Sequence, residues 1–395
     1  MAAAVRRSGP RFLVRSFTPG ELDYCAGRAD RLAGRWAAKE AVIKCFDGTG
    51  ICLPRRRIEI VPTVSGAPKV RLLGDARGAE VAVSITHDRG FAVATAALAM
   101  PEAGAAGPIP EHVRIPPRPA DGHKGTFGTV VALAGSRGLT GAAYLCSTAA
   151  ARAGAGMVRL LVAESIYPIL AAKCAEVMAM PIAEAEPGAV GPDGASAIVG
   201  DLEHAAAALV GPGLGRAQAT WRLLTDLIPN IVKPLVIDAD ALNALAAGGT
   251  AMKRLRGSMV LTPHPGEMAR LCDVSIAEVQ RDRRRTAAEA ASRWGAVVVL
   301  KGAHTIVAAP DGTVSEDPHE VPALGTGGTG DVLGGIIAGL LAQGSDPFTA
   351  AVTGVFVHAE CGRRIAAAQG ESGLLASDLL LEIPRVMQAL RVSGR

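Results

Sequence analysis

From residue 128 onward, short and nearly continuous apolar runs alternate with stretches whose apolar residues recur every three or four positions. The runs at 128–134, 157–162, 207–210, 234–237, 259–261 and 296–300 read as strands covered on both faces. The stretches at 140–153, 217–227, 239–245, 265–271, 276–294, 332–342, 348–368 and 376–391 read as helices, and 305–314 reads as a hairpin turned by Pro310-Asp311-Gly312. Strands and helices in alternation predict an α/β fold, a mainly parallel sheet with helices on both faces. Ligands of such sheets sit beyond the carboxyl ends of the strands.

The first hundred residues follow a different pattern. Thr18, Pro19 and Glu21 have the order of a helix start: a cap, a first-turn proline and an acid three residues on. A second helix is expected over 28–45, with Leu32, Trp36, Ala37, Glu40, Ala41 and Lys44 at helical spacing. Strands are expected at 57–61 and 69–73, and a hairpin-like pair at 81–87 and 91–96. Residues 101–119 are rich in proline and glycine and read as a linker. The expected organisation is a small α+β domain at 1–100, the linker at 101–119 with its boundary near 107, and an α/β domain at 120–395.

Composition narrows the classes. The chain is 49% hydrophobic but only 3% aromatic, so its core is aliphatic, which suits helices on a sheet better than an aromatic-rich sandwich. Residues 1–107 hold 16 Lys and Arg against 10 Asp and Glu, whereas the remainder holds 25 against 27; the basic first part suits an acidic partner or a phosphorylated ligand. Seven scattered cysteines without a C-x-x-C pair argue against a zinc ribbon or redox dithiol and fit reduced thiols in a cytoplasmic protein. No apolar run approaches the roughly 20 residues of a membrane helix, no apolar signal core follows the first residues, and nothing points to nucleic acid.

The candidate chemistry lies in the loops. Gly325-Thr326-Gly327-Gly328-Thr329-Gly330-Asp331 is too rich in glycine for an element interior and runs into the apolar helix at 332–342. Amides at such a helix start hold an anion. Asp331 reads in two ways, as a capping acid beside flexible glycines or as a carboxylate base beside a phosphate in transfer. Two further glycine loops, 135–143 and 211–215, follow strands, as do Asp238 and Asp240, His264 and Glu267, and the string Lys301-Gly302-Ala303-His304-Thr305. Each alone suits an ordinary turn, cap or solvated end. Together, on one rim, they favour a nucleotide phosphate site where carboxylates can recruit Mg²⁺. The P-loop string and the protein-kinase strings are absent.

Two resemblances follow. Leu32-Ala33-Gly34-Arg35-Trp36-Ala37-Ala38-Lys39-Glu40-Ala41-Val42-Ile43-Lys44, with 17–22 and 84–88, resembles holo-acyl-carrier-protein synthase, a 4′-phosphopantetheinyl transferase. The resemblance implies that Glu40 binds Mg²⁺ at the coenzyme A pyrophosphate, that Lys39, Lys44 and His87 lie around the coenzyme, and that acyl carrier protein is the partner. That family carries a second metal-binding aspartate in its first strand, but residues 1–9 contain no acid, so the expected domain is truncated and its metal site incomplete. The segments 123–128, 134–143, 154–156, 211–215, 238–243, 262–267 and 325–331 occur in the order of the ADP-dependent NAD(P)H-hydrate dehydratases, a ribokinase-fold family. This resemblance implies that ADP phosphorylates the hydroxyl of NADHX or NADPHX and that phosphate then leaves, with AMP and phosphate as by-products. It implies Asp331 as catalytic base and substrate contact, Ala142, Gly213 and His264 as further substrate contacts, and Lys301, Gly302, Ala303, His304, Thr305, Gly328, Thr329 and Gly330 around the adenine nucleotide. It also implies a homo-oligomer. A ribokinase-type kinase of a vitamin precursor, or a nucleotide-binding module without turnover, are the alternative readings.

Overall fold

The structure, a computed structural model, describes residues 10–46, 53–63, 66–73, 80–88, 91–99, 109–248, 252, 255 and 258–394. The chain divides into two compact units, Met1–Ala105 and Ala106–Arg395.

In the first unit α1 (Pro10–Ser16), α2 (Pro19–Cys25) and α3 (Ala29–Cys45) precede β1 (Ile58–Pro62), β2 (Pro68–Leu72), β3 (Glu80–Asp88) and β4 (Phe91–Ala99). The strands form two antiparallel pairs, β1 with β2 and β3 with β4. Ala38 and Val42 of α3 pack on Ile58 and Ile60 of β1, with Val83 and Ile85 of β3 behind them. The capping pattern at Thr18 is realised reciprocally: Glu21 N donates to Thr18 Oγ1 (3.3 Å), and Thr18 N donates to Glu21 Oε2 (2.8 Å). Thr18→Ala should therefore lower the stability of this unit by about 1 kcal/mol in urea unfolding. Glu21 also forms a fully buried ion pair with Lys39 at 2.6 Å, and Lys39 Nζ donates to the carbonyls of Ser16 and Arg55.

The second unit contains β5 (Thr129–Leu133), α4 (Thr140–Arg152), β6 (Met157–Ala163), α5 (Tyr167–Lys173), β7 (Met178–Ile182), β8 (Glu184–Glu186), β9 (Ala189–Val190), α6 (Ala195–Glu203) and β10 (Ala207–Val210). It continues with α7 (Gln218–Leu227), β11 (Leu235–Ile237), α8 (Ala239–Ala247), β12 (Met259–Leu261), α9 (Pro265–Cys272), α10 (Ile276–Arg281), α11 (Arg283–Trp294) and β13 (Val297–Leu300). Last come β14 (Ile306–Ala308), β15 (Val314–Glu316), α12 (Thr329–Ala342), α13 (Pro347–Gln369) and α14 (Ala376–Val392). Nine strands form one sheet in the order β15-β14-β13-β12-β11-β10-β5-β6-β7, parallel from β7 to β13, with β14 and β15 antiparallel at one edge. Successive strands lead away from β5 on one side and from β10 on the other. The loops after these two neighbours therefore diverge, which opens a crevice at the sheet's switch point.

Three sequence expectations are corrected. The helix expected over 276–294 is broken at Asp282, whose φ of −150° and ψ of 77° leave the helical region; its carboxylate accepts from Arg285 N and caps α11 instead. The glycine loop ends earlier than expected, because α12 begins at Thr329 and takes in Gly330 and Asp331. Its glycines are needed for packing: a Cβ on Gly335 would stand 2.1 Å from the Cys146 carbonyl of α4, and one on Gly339 would stand 2.6 Å from that of Ala150. Finally, part of the stretch expected as linker packs firmly. Residues 109–119 form no helix or strand, yet Val113 and Ile115 are buried in the core of the second unit and Arg114 N donates to Thr353 Oγ1.

Candidate functional site

The site is assembled from strand ends around the first turn of α12. Gly328 caps the helix at a φ of 93°, a conformation glycine adopts without strain. The Thr329 hydroxyl donates to the carbonyls of Leu324 (2.8 Å) and Thr326 (3.0 Å), which ties the glycine loop to the helix start. The first-turn amides of Gly330 and Asp331 have no intrahelical carbonyl to reach, and the helix dipole adds positive potential there. Nearly all of α12 beyond Asp331 is buried, so this amide cradle sits at the mouth of a rigid element.

Lys301 follows β13 and points at this cradle; a Cβ on Gly330 would lie 3.5 Å from its Nζ. Its ammonium donates to Asp238 Oδ1 at 2.9 Å and lies 3.9 Å from Glu267 Oε2. Asp238, buried at the end of β11, also accepts from Thr262 Oγ1 at 2.7 Å. Burial lowers the Lys301 pKa, but Asp238 and Glu267 outweigh it, so Lys301 stays protonated. Glu267 is pushed up to about 7 by burial, partly offset by Lys301. Asp331 is likewise raised to about 7, by burial and then by the charge of Asp238, with Lys301 pulling the other way. A carboxylate poised near neutrality suits a general base.

On one side of this turn lies a cavity of about 590 Å³ whose lining includes His264, Lys301, Gly302, Ala303, Thr305, Thr329 and Gly330, seven of the residues expected to bind nucleotide or substrate. His264 caps α9: its Nδ1 accepts from Gly266 N at 2.9 Å and Glu267 Oε2 accepts from His264 N. Burial, and then the charges of Lys301 and Arg270, lower its pKa. A Cβ on Gly328 would stand 2.7 Å from Leu145 Cδ1 of α4. One turn upstream on α4, Ala142 stands against Gly213 in the loop after β10; a Cβ on Gly213 would lie 2.7 Å from that of Ala142. His304 differs from its neighbours: it has a φ of 51° and its Nδ1 faces the Asp317 carbonyl at 3.2 Å rather than lining the cavity.

Several residues here carried no sequence signal. His319 lines the cavity between Asp317 (3.1 Å) and Glu360 (3.3 Å), and Glu360 also accepts from Arg363 and Arg364. Burial alone would lower the pKa of His319, yet its two carboxylate partners raise it to about 9. Arg283 donates to the carbonyls of Leu300 and Ala303 and pins the loop after β13. His358 of α13 also lines the cavity.

In the first unit Glu40 accepts from Arg55 Nε at 2.5 Å, and that guanidinium stacks on Trp36 at 4.6 Å. The missing-acid expectation for residues 1–9 lies outside the described residues. Among the described residues no group of three or more His, Cys, Asp or Glu could hold a metal ion. Glu40, paired with Arg55, belongs to no such group, so the described residues of this unit do not fit a divalent ion. In the second unit Asp238, whose Oδ1 accepts from Lys301 and Thr262, and Glu267 stand on the Lys301 side of the cradle, where Mg²⁺ held chiefly by phosphates and waters would find one or two carboxylate ligands.

The family model for NAD(P)H-hydrate dehydratase matches residues 130–385. The chain belongs to the NAD(P)H-hydrate dehydratase family. A model of the 4′-phosphopantetheinyl transferase superfamily matches residues 2–96. The ADP-dependent (S)-NAD(P)H-hydrate dehydratase of Xanthomonas campestris is 38% identical over 283 residues, covering 70% of this chain and 94% of that protein. The bifunctional NAD(P)H-hydrate repair enzyme of Moorella thermoacetica is 45% identical over 277 residues, covering 70% of this chain and 52% of that protein; the chain thus spans about half the length of the bifunctional relatives it matches. The ADP/ATP-dependent NAD(P)H-hydrate dehydratase of Bacillus subtilis, co-crystallised with ATP and Mg²⁺, superposes with a TM-score of 0.59 at 32% identity, covering 69% of this chain and 94% of that one. With a ribokinase-like protein of Enterococcus faecalis also matching at a TM-score of 0.60, the dehydratase-family unit is ribokinase-like.

Proposed function

We propose that this protein repairs hydrated nicotinamide nucleotides, using ADP to dehydrate the S form of NADHX or NADPHX. The observation that carries the reading is Asp331 in the first turn of α12, next in the chain to Thr329 and Gly330, which line a cavity together with Lys301, in a chain of this family. ADP occupies the cavity, its β-phosphate at the amides of Gly328 to Gly330. Asp331 takes the proton of the substrate hydroxyl as that oxygen forms its bond to phosphorus, and the bond from phosphorus to AMP breaks. The ring nitrogen's electron pair then expels phosphate, and loss of a proton from the neighbouring carbon restores the double bond. The cradle and Lys301 stabilise the negative charge in transit, while Mg²⁺, held by phosphates with Asp238 and Glu267, would neutralise charge on the diphosphate.

The test is to incubate the intact chain with ADP, Mg²⁺ and NADH hydrate. Recovery of the reduced-nicotinamide absorbance, with AMP and phosphate released, is expected; a stable phosphorylated product would instead mark a small-molecule kinase. Because the base must be ionised, kcat/KM should rise with pH through an apparent pKa near 7, the value to which burial and Asp238 raise Asp331. A profile flat between pH 5 and 8 would contradict this assignment. The six described cysteines are free, which suits a reducing compartment, and a cytoplasmic location belongs to the same reading. For the N-terminal unit, the family match offers coenzyme A and acyl carrier protein as ligands. With Glu40 engaged by Arg55, we infer a vestigial transferase there; efficient phosphopantetheine transfer by the intact chain would overturn that.

A further inference from the structure

Residues 317–325, between β15 and the glycine loop, form one wall of the cavity, and α13 forms another. The loop after β13 is tied to that segment through the backbone: Asp317 N donates to the Thr305 carbonyl (2.9 Å) and His304 N to that of His319 (3.1 Å). The segment is tied to α13 by a single side chain. His319 Nδ1 lies 3.1 Å from Asp317 Oδ1, and its Nε2 lies 3.3 Å from Glu360 Oε2 of α13. All three residues are buried, and the ring also meets that of Phe356 edge-on, with centroids 5.0 Å apart. Glu360 accepts in addition from Arg363 and Arg364 (2.7 and 2.8 Å), and Arg364 reaches Glu382 of α14 at 3.5 Å. An ionised carboxylate only accepts, and a neutral imidazole has only one hydrogen to give. A ring held between two carboxylates therefore carries a hydrogen on both nitrogens. In that form His319 fastens the segment, and through it the loop 301–305, to α13. Neither the amide cradle nor Asp331 takes part in this bridge.

We propose that His319 is a positioning residue for ADP: its bridge between Asp317 and Glu360 sets the spacing of the cavity walls, and so the fit of the nucleoside, rather than the hold on the phosphates. The proposal rests on the ADP reading above.

The test is calorimetric, on the full chain and on His319→Gln, with ADP and inorganic phosphate as probes. A glutamine amide carries its donors on one nitrogen and cannot serve both carboxylates. His319→Gln should bind ADP about tenfold more weakly, the loss of one charged hydrogen bond, and bind phosphate as the wild type does. In turnover the loss should fall on KM for ADP, with kcat within about twofold of wild type. The wild type's affinity for ADP should also drop between pH 8 and 10. His319 gives up its second proton near pH 9, where the bonds to Asp317 and Glu360 outweigh the opposing effect of burial. His319→Gln should show no such step, and phosphate binding should stay level in both proteins. A matching loss on phosphate would reduce His319 to a structural part of the fold and overturn the proposal, as would a variant that binds ADP like the wild type. Should His319→Gln fail to fold, His319→Asn provides the second variant, and a wild type without the step near pH 9 overturns the proposal without any variant. Failure of the wild type to bind ADP at any pH sinks the ADP reading and this one with it, whereas ADP binding that ignores His319 sinks this one alone.

Discussion

Asp331→Asn should abolish dehydration, cutting kcat by about a thousandfold or more while leaving nucleotide binding within a few fold of wild type. The asparagine keeps the volume and the α12 start but cannot take a proton, and general bases supply about 10²–10⁴-fold. The same variant should be more stable than the wild type in alkaline solution. The carboxyl of Asp331 is raised from 3.8 to about 7 in the folded protein, so the stability linked to its proton is complete below pH 4 and is lost as pH rises through 7. Above pH 8 the half-buried carboxylate is a net cost that asparagine lacks. Thermal unfolding should thus give Asp331→Asn a Tm about 2 °C or more above wild type at pH 8 and no gain at pH 4. A variant with wild-type turnover would remove Asp331 from the chemistry; a lower Tm at pH 8 would show that the carboxylate stabilises the fold.

Gly335→Ala should be strongly destabilising, although it adds only a methyl group to a helix. In an exposed helix this exchange stabilises by about 1 kcal/mol, because alanine loses less backbone entropy. At 335 the new methyl would stand 2.1 Å from the Cys146 carbonyl and 2.8 Å from the Ala149 side chain. These are atoms of a neighbouring buried helix that cannot step aside. Overpacking of that kind outweighs the propensity gain, and about 3 kcal/mol of net destabilisation is expected, or roughly 6–10 °C in Tm. Residue 335 lies one turn beyond Asp331, so activity should fall as α12 shifts away from α4. Gly200→Ala is the control: Gly200 lies on α6 with nothing within 4 Å of the added atom, and should gain about 0.5–1 kcal/mol. If both variants behaved alike, close packing of α12 on α4 would not be what fixes the site.

The central strands were legible because burial on both faces leaves short apolar runs that few other elements produce; 259–261 and 207–210 coincide with β12 and β10, whereas β7, half-exposed at the sheet edge, and the short pair β8 and β9 were not read as strands. The glycine loops and the residues after β11, β12 and β13 were legible because ligand-facing loops cannot hide their turn chemistry. The start of α12 was not, since glycine's usual aversion to helices is overridden by the close approach of α4, a tertiary fact. The break at Asp282 escaped because apolar spacing continues across it; only the capping bond to Arg285 reveals it. His319 pairs with Glu360, 41 residues further on, and His358 faces the cavity from a helix whose sequence reads as ordinary core. Partners so distant leave no local pattern.

A crystal structure with ADP and Mg²⁺ bound would test the central claim most directly. The β-phosphate is expected within hydrogen-bonding distance of the Gly328–Gly330 amides, with the Asp331 carboxylate facing it and Lys301 alongside. Phosphates bound away from that turn, or an Asp331 side chain directed into the protein interior, would contradict it.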